Sequence, residues 1–168
     1  MNSTRTSYRS YVTPGDIASV QRLVSATGFF SVDERDIASE LVADRLTQGP
    51  TCGYEFLFAD GDIGLDGYAC YGLIPCTAAS YDLYWIAVDP GSQGTGLGRR
   101  LLEETERRIR VLGGTAIYAE TSGRAQYAST RAFYEKCGYA IGAVFPDFYA
   151  AGDDKVVFVK RLGGELRT

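Results

Sequence analysis

The sequence contains no histidine. This absence excludes catalytic dyads and triads that depend on an imidazole, and it removes the commonest side-chain ligand of zinc sites. Cysteine is also scarce, and Cys52, Cys70, Cys76 and Cys137 form no C-x-x-C pair. We therefore expect four reduced thiols in the core and no metal site.

Long apolar runs are missing as well. No run approaches the length that crosses a membrane, and Met1 to Arg5 lead into no apolar segment of a signal peptide. The formal net charge of −4 creates a field that would repel nucleic acid and anionic membranes. We expect a cytoplasmic protein with no nucleic-acid or membrane partner. The excess of acidic residues favours an amine as the binding partner.

The composition suits one compact domain. With 168 residues, 45% of them hydrophobic, and no repeat or low-complexity stretch, the chain can bury one sizeable core over residues 1–168. The hydrophobic patterns predict elements in the order β-α-α-β-β-β-α-β-α-β-β. This order is typical of an α/β (α+β) protein with a mixed sheet and helices on both faces.

Individual elements follow from periodicity and turn residues. Asp16 is expected to cap a helix that ends near Ala26, and Ser31 to begin a second helix. The apolar faces predicted for the second helix and for a third helix from Leu97 contain Ile37, Leu41, Val42 and Leu46, and Leu101, Thr105, Ile109 and Leu112. The remaining predicted elements are a helix from about Ala125 to Cys137 and strands at Tyr8–Thr13, Tyr54–Ala59, Gly67–Ile74, Tyr81–Val88, Thr115–Thr121, Tyr139–Val144 and Lys155–Arg161.

The most informative segment runs from Trp85 to Leu112. An apolar run leads into the turn Asp89-Pro90-Gly91-Ser92-Gln93-Gly94-Thr95-Gly96-Leu97-Gly98-Arg99-Arg100, and an amphipathic helix follows. The first N–H groups of a helix have no intrahelical partner and lie at the positive end of its dipole. Glycines that let a ligand approach these groups make an anion site, so we expect a ligand that carries phosphate.

Two common phosphate motifs fit this turn poorly. A P-loop would need Lys-Ser or Lys-Thr where Leu97 and Gly98 stand, which excludes it. A dinucleotide fingerprint that starts at Gly94 or Gly96 would place its third glycine on Arg99 or Leu101. Glu120 lies at a suitable distance for a ribose-binding acid, so a nucleotide-dependent oxidoreductase stays open as an alternative.

Two motifs together indicate a family. The segment Gln93-Gly94-Thr95-Gly96-Leu97-Gly98 matches Q-x-x-G-x-G and resembles the acetyl-CoA pyrophosphate loop of the GNAT superfamily of N-acetyltransferases. The segment Phe133-Tyr134-Glu135-Lys136-Cys137-Gly138-Tyr139 is similar to that superfamily's F-Y-E-K-x-G-[FY] helix and following strand. The resemblance covers about residues 8 to 162.

The resemblance implies the acyl-CoA N-acyltransferase fold, a mostly antiparallel sheet of about seven strands with a parallel, splayed pair in the middle. In such a fold the pantetheine arm of acetyl-CoA lies between Tyr81–Val88 and Thr115–Thr121, and an amide-bearing cofactor satisfies the exposed backbone groups. The cofactor-binding residues implied in this way are Ala87, Val88, Gln93, Gly94, Gly96, Gly98 and Arg99.

The same resemblance implies direct transfer of acetyl to a primary amine of a small molecule, peptide or protein. Tyr134 matches the tyrosine that protonates the departing thiolate, and phenol and thiol have comparable acidity. Glu120 is the first choice for the base, because ribosomal-protein-type N-terminal acetyltransferases carry a similar acidic segment. Asp82, or a water that relays the proton, is the competitor.

Other expectations concern the acceptor and the partners. The segment from Pro146 to Tyr149 is expected to shape the acceptor pocket, and its aromatic residues beside aspartates would suit an amine with an apolar neighbour. A noncatalytic CoA-binding or sensing module on the same fold is the rival function. The family is often dimeric, which makes a homodimer an expectation.

Overall fold

A computed structural model describes residues 6–163. The strands are β1 (Ser7–Arg9), β2 (Glu55–Asp60), β3 (Leu65–Leu73), β4 (Ser80–Val88), β5 (Ala116–Ser122), β6 (Ala140–Ala150) and β7 (Asp153–Arg161). The α-helices are α1 (Gly15–Ala26), α2 (Val32–Gln48), α3 (Leu97–Val111) and α4 (Ala128–Lys136). No helix within residues 6–163 combines the length and apolar content needed to cross a membrane.

The strands form one mixed sheet in the order β1-β2-β3-β4-β5-β7-β6. Strand β5 runs parallel to β4, and its parallel register extends from Ser80↔Ala116 to Leu83↔Ala119. Strand β5 pairs on its other side with β7 in antiparallel register, and β7 pairs in the same way with β6. The predicted fold class and order of elements are confirmed.

The chain divides into two compact units. Within residues 6–163, the first consists of the residues up to Gly72 together with Trp85–Thr105, and the second of Leu73–Tyr84 together with the residues from Glu106 onward. In the first unit, apolar side chains of α1 and α2 pack on β2, β3 and the end of β4. The largest contributors to this core are Val20, Leu23, Val24, Val42, Phe56, Phe58 and Tyr68.

The entry into α1 differs from the prediction. Strand β1 ends at Arg9, and the N-cap of α1 is Pro14 rather than Asp16. Asp16 is 3% exposed and accepts hydrogen bonds from the Thr13 amide at 2.7 Å and from Arg9 at 2.6 and 2.9 Å. Arg9 also bonds Asp60 at 2.6 Å. Asp16 therefore fastens the start of α1 to β1 and β2 instead of capping the helix.

This ion-pair network makes the stability of the fold sensitive to acid. Burial alone would raise the pKa of Asp16, but hydrogen bonds from Arg9 and Thr13 outweigh burial and hold that pKa below its ordinary value. Because the folded-state pKa is the lower one, the stabilisation is present above the unfolded-state pKa of about 3.9 and is lost as pH falls through the folded-state pKa.

Asp16→Asn should lower the free energy of unfolding by about 1–3 kcal/mol at neutral pH, since Arg9 loses a charged partner. Urea unfolding between pH 3 and pH 7 measures this, and the difference from the parent protein should shrink towards pH 3. Asp62→Asn, on an exposed turn, is the matched control. A constant difference at all pH values would contradict the role assigned to the ionised carboxylate.

Helix α2 begins where it was predicted, but its buried face is rotated. Ser31 and Glu34 form a capping box, with Ser31 accepting from the Glu34 amide at 3.2 Å. Ile37 and Leu46, predicted to be buried, are 48% and 36% exposed, whereas Ala38 and Val42 are buried. Consecutive helical residues differ by about 100°. The small Ala38 side chain is buried in place of the larger Ile37. The prediction had chosen the buried face by its large apolar residues and therefore chose the wrong one.

Three other boundaries also shifted. Helix α3 ends at Val111 because Gly113 takes φ +87°, and this leaves Leu112 55% exposed. Helix α4 is preceded by a 3₁₀ turn at Ala125–Tyr127. Strand β6 continues to Ala150 and so includes the segment predicted as a loop. Its register against β7 shifts between Phe145 and Ala150, and Asp147 there has φ +53°.

Candidate functional site

The glycine turn after β4 is built by local hydrogen bonds in the first unit. A 3₁₀ turn at Pro90–Ser92 opens at Asp89, whose carboxylate accepts from the Gly91 amide at 2.9 Å. Gly94 and Gly96 then take φ +74° and +78°, a region that side chains disfavour. Helix α3 starts at the next residue, so the strand, the turn and the helix start follow one another as predicted.

The turn leaves backbone amides at the start of α3. The bond from the Arg100 amide to the Gly96 carbonyl, at 3.1 Å, is an i→i−4 helical bond. The amides of Leu97 and Gly98 precede it at the start of the helix, where an amide has no i→i−4 partner within the helix. A Cβ atom on Gly94 would meet nothing within 4 Å, so the turn is open on that side. Open amides at the positive end of a helix dipole can bind an anion.

Side chains hold the turn in place. Thr95 Oγ1 donates to the Ser92 carbonyl at 2.7 Å, and Arg100 Nη1 donates to the Thr95 carbonyl at 2.9 Å. Gln93 Nε2 donates to the Val88 carbonyl at 3.3 Å. These bonds use side-chain donors and carbonyl acceptors, so they stiffen the turn.

The other two residues predicted to contact the cofactor occupy different settings. Ala87 is 6% exposed, and its carbonyl oxygen would lie 3.0 Å from a Cβ placed on Gly67, so β3 approaches this part of β4 closely. Arg99 is exposed and pairs with Glu103 at 2.8 Å. Its guanidinium thus lies at the surface near the turn, where salt screens its charge.

In the second unit, both candidate bases lie on one face of the sheet. Asp82 on β4 is opposite Tyr118 on β5, and Glu120 is two residues beyond Tyr118. Residues opposite each other and residues two apart share a face. Asp82 and Glu120 were predicted as competitors for the role of the base. The register of β4 and β5 places both side chains on the same face of the sheet.

Lys155 is a third charged residue on this face, and it was missed from the sequence. Its Nζ lies 2.7 Å from Glu120 Oε1. The same Nζ lies 4.5 Å from the centroid of the Phe148 ring and 6.0 Å from that of Phe145. Lys155 reaches this face because it lies opposite Ser122 in the β5–β7 pairing. The sequence did not predict that pairing, so no local pattern pointed to Lys155.

The electrostatics of the face differ between its two carboxylates. Partial burial raises the pKa of Asp82, the negative charge of Glu120 raises it further, and Lys155 lowers it. A general base works best when its pKa approaches the working pH. Glu120, by contrast, is held in an ion pair by Lys155. Asp82 is therefore the carboxylate whose surroundings favour proton uptake.

Tyr134 is buried at 5% exposure in the core of the second unit. Its ring centroid lies 5.5 Å from that of Tyr139 and 5.3 Å from that of Phe158. Burial raises the pKa of Tyr134, and the nearby Cys137 adds to the effect. The phenol therefore stays protonated at neutral pH. Burial makes it a weaker acid than the sequence-based expectation of comparable acidity with a thiol.

The end of α4 that carries Tyr134 is held by a buried ion pair. Lys160 Nζ donates to both carboxylate oxygens of Glu106, at 2.9 and 2.8 Å, and to the carbonyl of Cys137 at 2.8 Å. Arg131 donates to the carbonyl of Ser122 at 2.7 Å from the other part of the helix. These bonds fix α4 to α3, β5 and β7, and so they fix Tyr134.

Tyr134 and the acidic pair lie on opposite faces of the sheet in the second unit. Phe158, which the Tyr134 ring contacts, is adjacent to Val157 along β7, and Val157 lies opposite Glu120. Successive residues of a strand point to opposite faces. The carboxylates of Asp82 and Glu120 are thus on one face of the sheet, and the phenol of Tyr134 is on the other.

Two further predictions concerned the cysteines and metal binding. The four cysteines all lie within the described residues and form no disulfide. Cys70 is buried, but Cys76 is exposed, so the expectation of four core thiols was wrong. Within residues 6–163, no group of three or more histidine, cysteine, aspartate or glutamate side chains is arranged to hold a metal ion.

A model of the acetyltransferase (GNAT) domain matches residues 53–141. This stretch is more than half of the chain and includes the glycine turn, Glu120 and Tyr134. The chain belongs to the GNAT family of acetyltransferases. Both motifs that suggested the family, residues 93–98 and 133–139, lie within the matched stretch.

Solved structures of GNAT proteins share the fold. A crystal structure of a protein from Desulfovibrio desulfuricans, assigned to the GNAT family, is 48% identical and covers 95% of this chain and 100% of its own, with a TM-score of 0.93. A protein from Salmonella typhimurium, assigned as an acetyltransferase and solved with its cofactor acetyl-CoA, is 19% identical, with 98% of each chain covered and a TM-score of 0.72. The second likeness shows the GNAT fold alone.

Two curated relatives are similar over part of their length. An uncharacterised protein from Mycobacterium leprae is 30% identical over 151 residues, which are 89% of this chain and 39% of that protein. Mycothiol acetyltransferase from Beutenbergia cavernae is 35% identical over 71 residues, which are 42% of this chain and 23% of that enzyme. The GNAT chain therefore spans less than half of either relative.

Proposed function

We propose that this GNAT protein transfers acetyl from acetyl-CoA directly to a primary amine of a small molecule, peptide or protein. The observation that carries the proposal is the turn in which Gly94 and Gly96, at φ +74° and +78°, present the first amides of α3. A diphosphate is the part of acetyl-CoA that such amides would bind. The Salmonella typhimurium protein, which shares the fold and was solved with its cofactor acetyl-CoA, supports this choice of donor.

The cofactor contacts of the proposal follow the turn. The diphosphate binds the amides of Gly94, Gly96 and Gly98, and the glycines are needed because a side chain would obstruct it. The Gln93 amide already donates to the Pro90 carbonyl at 3.4 Å, so Gln93 contributes by holding the turn rather than through that amide. The pantetheine arm binds the main chain of Ala87 and Val88. The Val88 carbonyl already accepts from Gln93, and a carbonyl oxygen has a second lone pair for the cofactor.

The reaction needs a base for the acceptor. In the proposed mechanism the Asp82 carboxylate removes a proton from the acceptor ammonium, and Glu120 raises the basicity of Asp82. The neutral amine attacks the thioester carbon, a C–N bond forms, and the C–S bond breaks as the tetrahedral intermediate collapses. In the alternative mechanism, Glu120 removes this proton, either directly or through a water.

The departing sulfur needs a proton or a hydrogen bond. Tyr134 stays protonated because burial raises its pKa, so its phenol can always donate to the sulfur as negative charge develops there. Since Tyr134 and the acidic pair lie on opposite faces of the sheet, the amine can approach from one side while the sulfur leaves on the other. The second proton of the amine nitrogen is released when the amide forms.

A thiol-release assay tests the function. Purified protein is mixed with acetyl-CoA and a panel of primary amines, free thiol is followed with a disulfide dye, and CoA binding is measured by calorimetry. Acetylated amine and equimolar thiol are expected. Binding of CoA without thiol release would favour the noncatalytic sensing module. Binding of NAD(P) but not of CoA would favour the oxidoreductase.

Glu120→Gln and Lys155→Met should shift the pH dependence of kcat/KM in opposite directions. The negative charge of Glu120 raises the pKa of Asp82 and the positive charge of Lys155 lowers it. The rate rises as Asp82 loses its proton, so the acidic limb of the profile should move to lower pH in Glu120→Gln and to higher pH in Lys155→Met. Rate profiles from pH 5 to pH 9 measure both shifts.

The same profiles separate the two candidate bases. If Asp82 is the base, Glu120→Gln keeps most of the maximal rate, whereas Asp82→Asn loses about a hundredfold or more. Loss of all turnover in Glu120→Gln, with Asp82→Asn still active, would assign the base to Glu120. Unshifted limbs in both charge variants would remove Asp82 from the mechanism.

The remaining parts of the proposal concern the setting of the enzyme. Cysteines without disulfides fit the reducing conditions of the cytoplasm. The homodimer expected from the family resemblance stays a prediction, and sedimentation of the purified chain tests it. The similarity of part of this sequence to mycothiol acetyltransferase supports an acetyltransferase function.

A further inference from the structure

The second unit exposes a cluster of three aromatic residues on β6. Phe145, Phe148 and Tyr149 are 48%, 55% and 48% exposed. The ring centroids of Phe145 and Phe148 lie 6.4 Å apart, and those of Phe148 and Tyr149 lie 5.1 Å apart. Contiguous exposed apolar surface of this kind commonly marks a binding site.

The aromatic cluster lies beside the acidic pair. Lys155 Nζ is 2.7 Å from Glu120 Oε1 and 4.5 Å from the Phe148 centroid, so the carboxylate and the ring are at most about 7 Å apart. The nitrogen of an arylethylamine lies about 5 Å from its own ring centroid, given bond lengths near 1.5 Å. One small molecule can therefore place its amine at the carboxylates and its ring on Phe148.

The charges on this face determine which amines fit. The carboxylates of Asp82 and Glu120 carry two negative charges, and the ammonium of Lys155 supplies one positive charge. One negative charge therefore remains to attract a protonated amine. A carboxylate on the acceptor would be repelled. Asp147 and Asp154 in the hairpin add further negative charge near this face. Asp154 accepts from the Asp147 amide at 2.9 Å, and Asp147 accepts from the Gly152 amide at 2.6 Å, so both shape the turn.

We infer that the acceptor is a small primary amine whose nitrogen is about two carbons from an apolar ring and which carries no carboxylate beside the amine. The ring packs on Phe148 and Phe145, and the ammonium faces Asp82 and Glu120. Lys155 already illustrates the preference, because its own ammonium lies between a carboxylate and an aromatic ring. The inference rests on the proposed acetyltransferase function and specifies its substrate class.

Four acceptors and two variants test the inference. The acceptors are phenethylamine, 2-methoxyethylamine, phenylalanine and a peptide that begins with phenylalanine, each at saturating acetyl-CoA with thiol release as the readout. The variants are Phe148→Ser and Val144→Ser. Val144 is the matched control, because it is 47% exposed on the same strand but lies opposite Val156, which puts it on the other face from Phe145.

Phenethylamine should have a kcat/KM at least about tenfold above those of the other three acceptors, the range that one apolar contact gives. Phe148→Ser should remove most of this advantage by raising the KM of phenethylamine, and Val144→Ser should preserve it. Equal rates for phenethylamine and 2-methoxyethylamine, or a preference for either carboxylate-bearing or peptide acceptor, would overturn this inference alone. No thiol release with any amine, despite CoA binding, would overturn the proposed function and this inference with it.

Discussion

Gly96→Val is expected to weaken acetyl-CoA binding by at least about a hundredfold. Gly96 has φ +78°, and a β-branched residue held in this region costs about 1–3 kcal/mol. A Cβ atom would also lie 3.2 Å from Arg100 Nη1, the group that bonds the Thr95 carbonyl and stiffens the turn. If the turn relaxes, the amides at the start of α3 no longer converge on a diphosphate.

Calorimetric titration with CoA measures the loss. Gly53→Val is the matched control, because Gly53 has φ +80° and a Cβ there would meet nothing within 4 Å. It should carry the same backbone strain and keep its affinity. Gly96→Ala, a smaller change, guards against misfolding of the valine variant and should also bind more weakly. Unchanged affinity in both Gly96 variants would place the diphosphate elsewhere.

Tyr134→Phe is expected to lower kcat by about a hundredfold, the lower end of what a positioned acid contributes. The ring should keep its contacts with Tyr139 and Phe158, so acetyl-CoA affinity and the unfolding midpoint should change little. Only the hydrogen bond to the departing sulfur is removed. Steady-state kinetics with a saturating amine, together with CoA titration, separate the chemical step from binding.

Tyr139→Phe is the control for this experiment. Tyr139 is 4% exposed, adjacent to Tyr134, and its buried hydroxyl has no hydrogen-bond partner among the described residues. Loss of this hydroxyl should leave turnover near the parent value, and removal of an unsatisfied buried polar group should not destabilise the fold. If Tyr134→Phe retained full turnover, the sulfur would have to obtain its proton from another group.

Local patterns predicted most of the fold and half of the site. The helix start at Ser31 and the strand-turn-helix around Gly94 and Gly96 depend on neighbours in sequence, and both were found where they were expected. The buried face of α2 was not, because helical periodicity leaves the choice between Ile37 and Ala38 to the packing partner.

The acidic face shows why the rest required the tertiary structure. Alternation along β4 and β5 predicted which residues share a face within each strand, but only the Asp82↔Tyr118 register relates the two strands. Lys155 is separated from Glu120 by 35 positions, and its 2.7 Å contact depends on the β5–β7 pairing. The basicity of Asp82 depends on both neighbours and on burial, so no local signal could have revealed it.

The sequence by itself determined the order of the elements, the glycine turn before α3 and the GNAT family, because glycine conformations and helix starts are set by a few consecutive residues. The tertiary structure alone placed Asp82, Glu120 and Lys155 together on one face of the sheet in the second unit and Tyr134 on the other. Charges and burial act through space, and folding brings together residues that are distant along the chain.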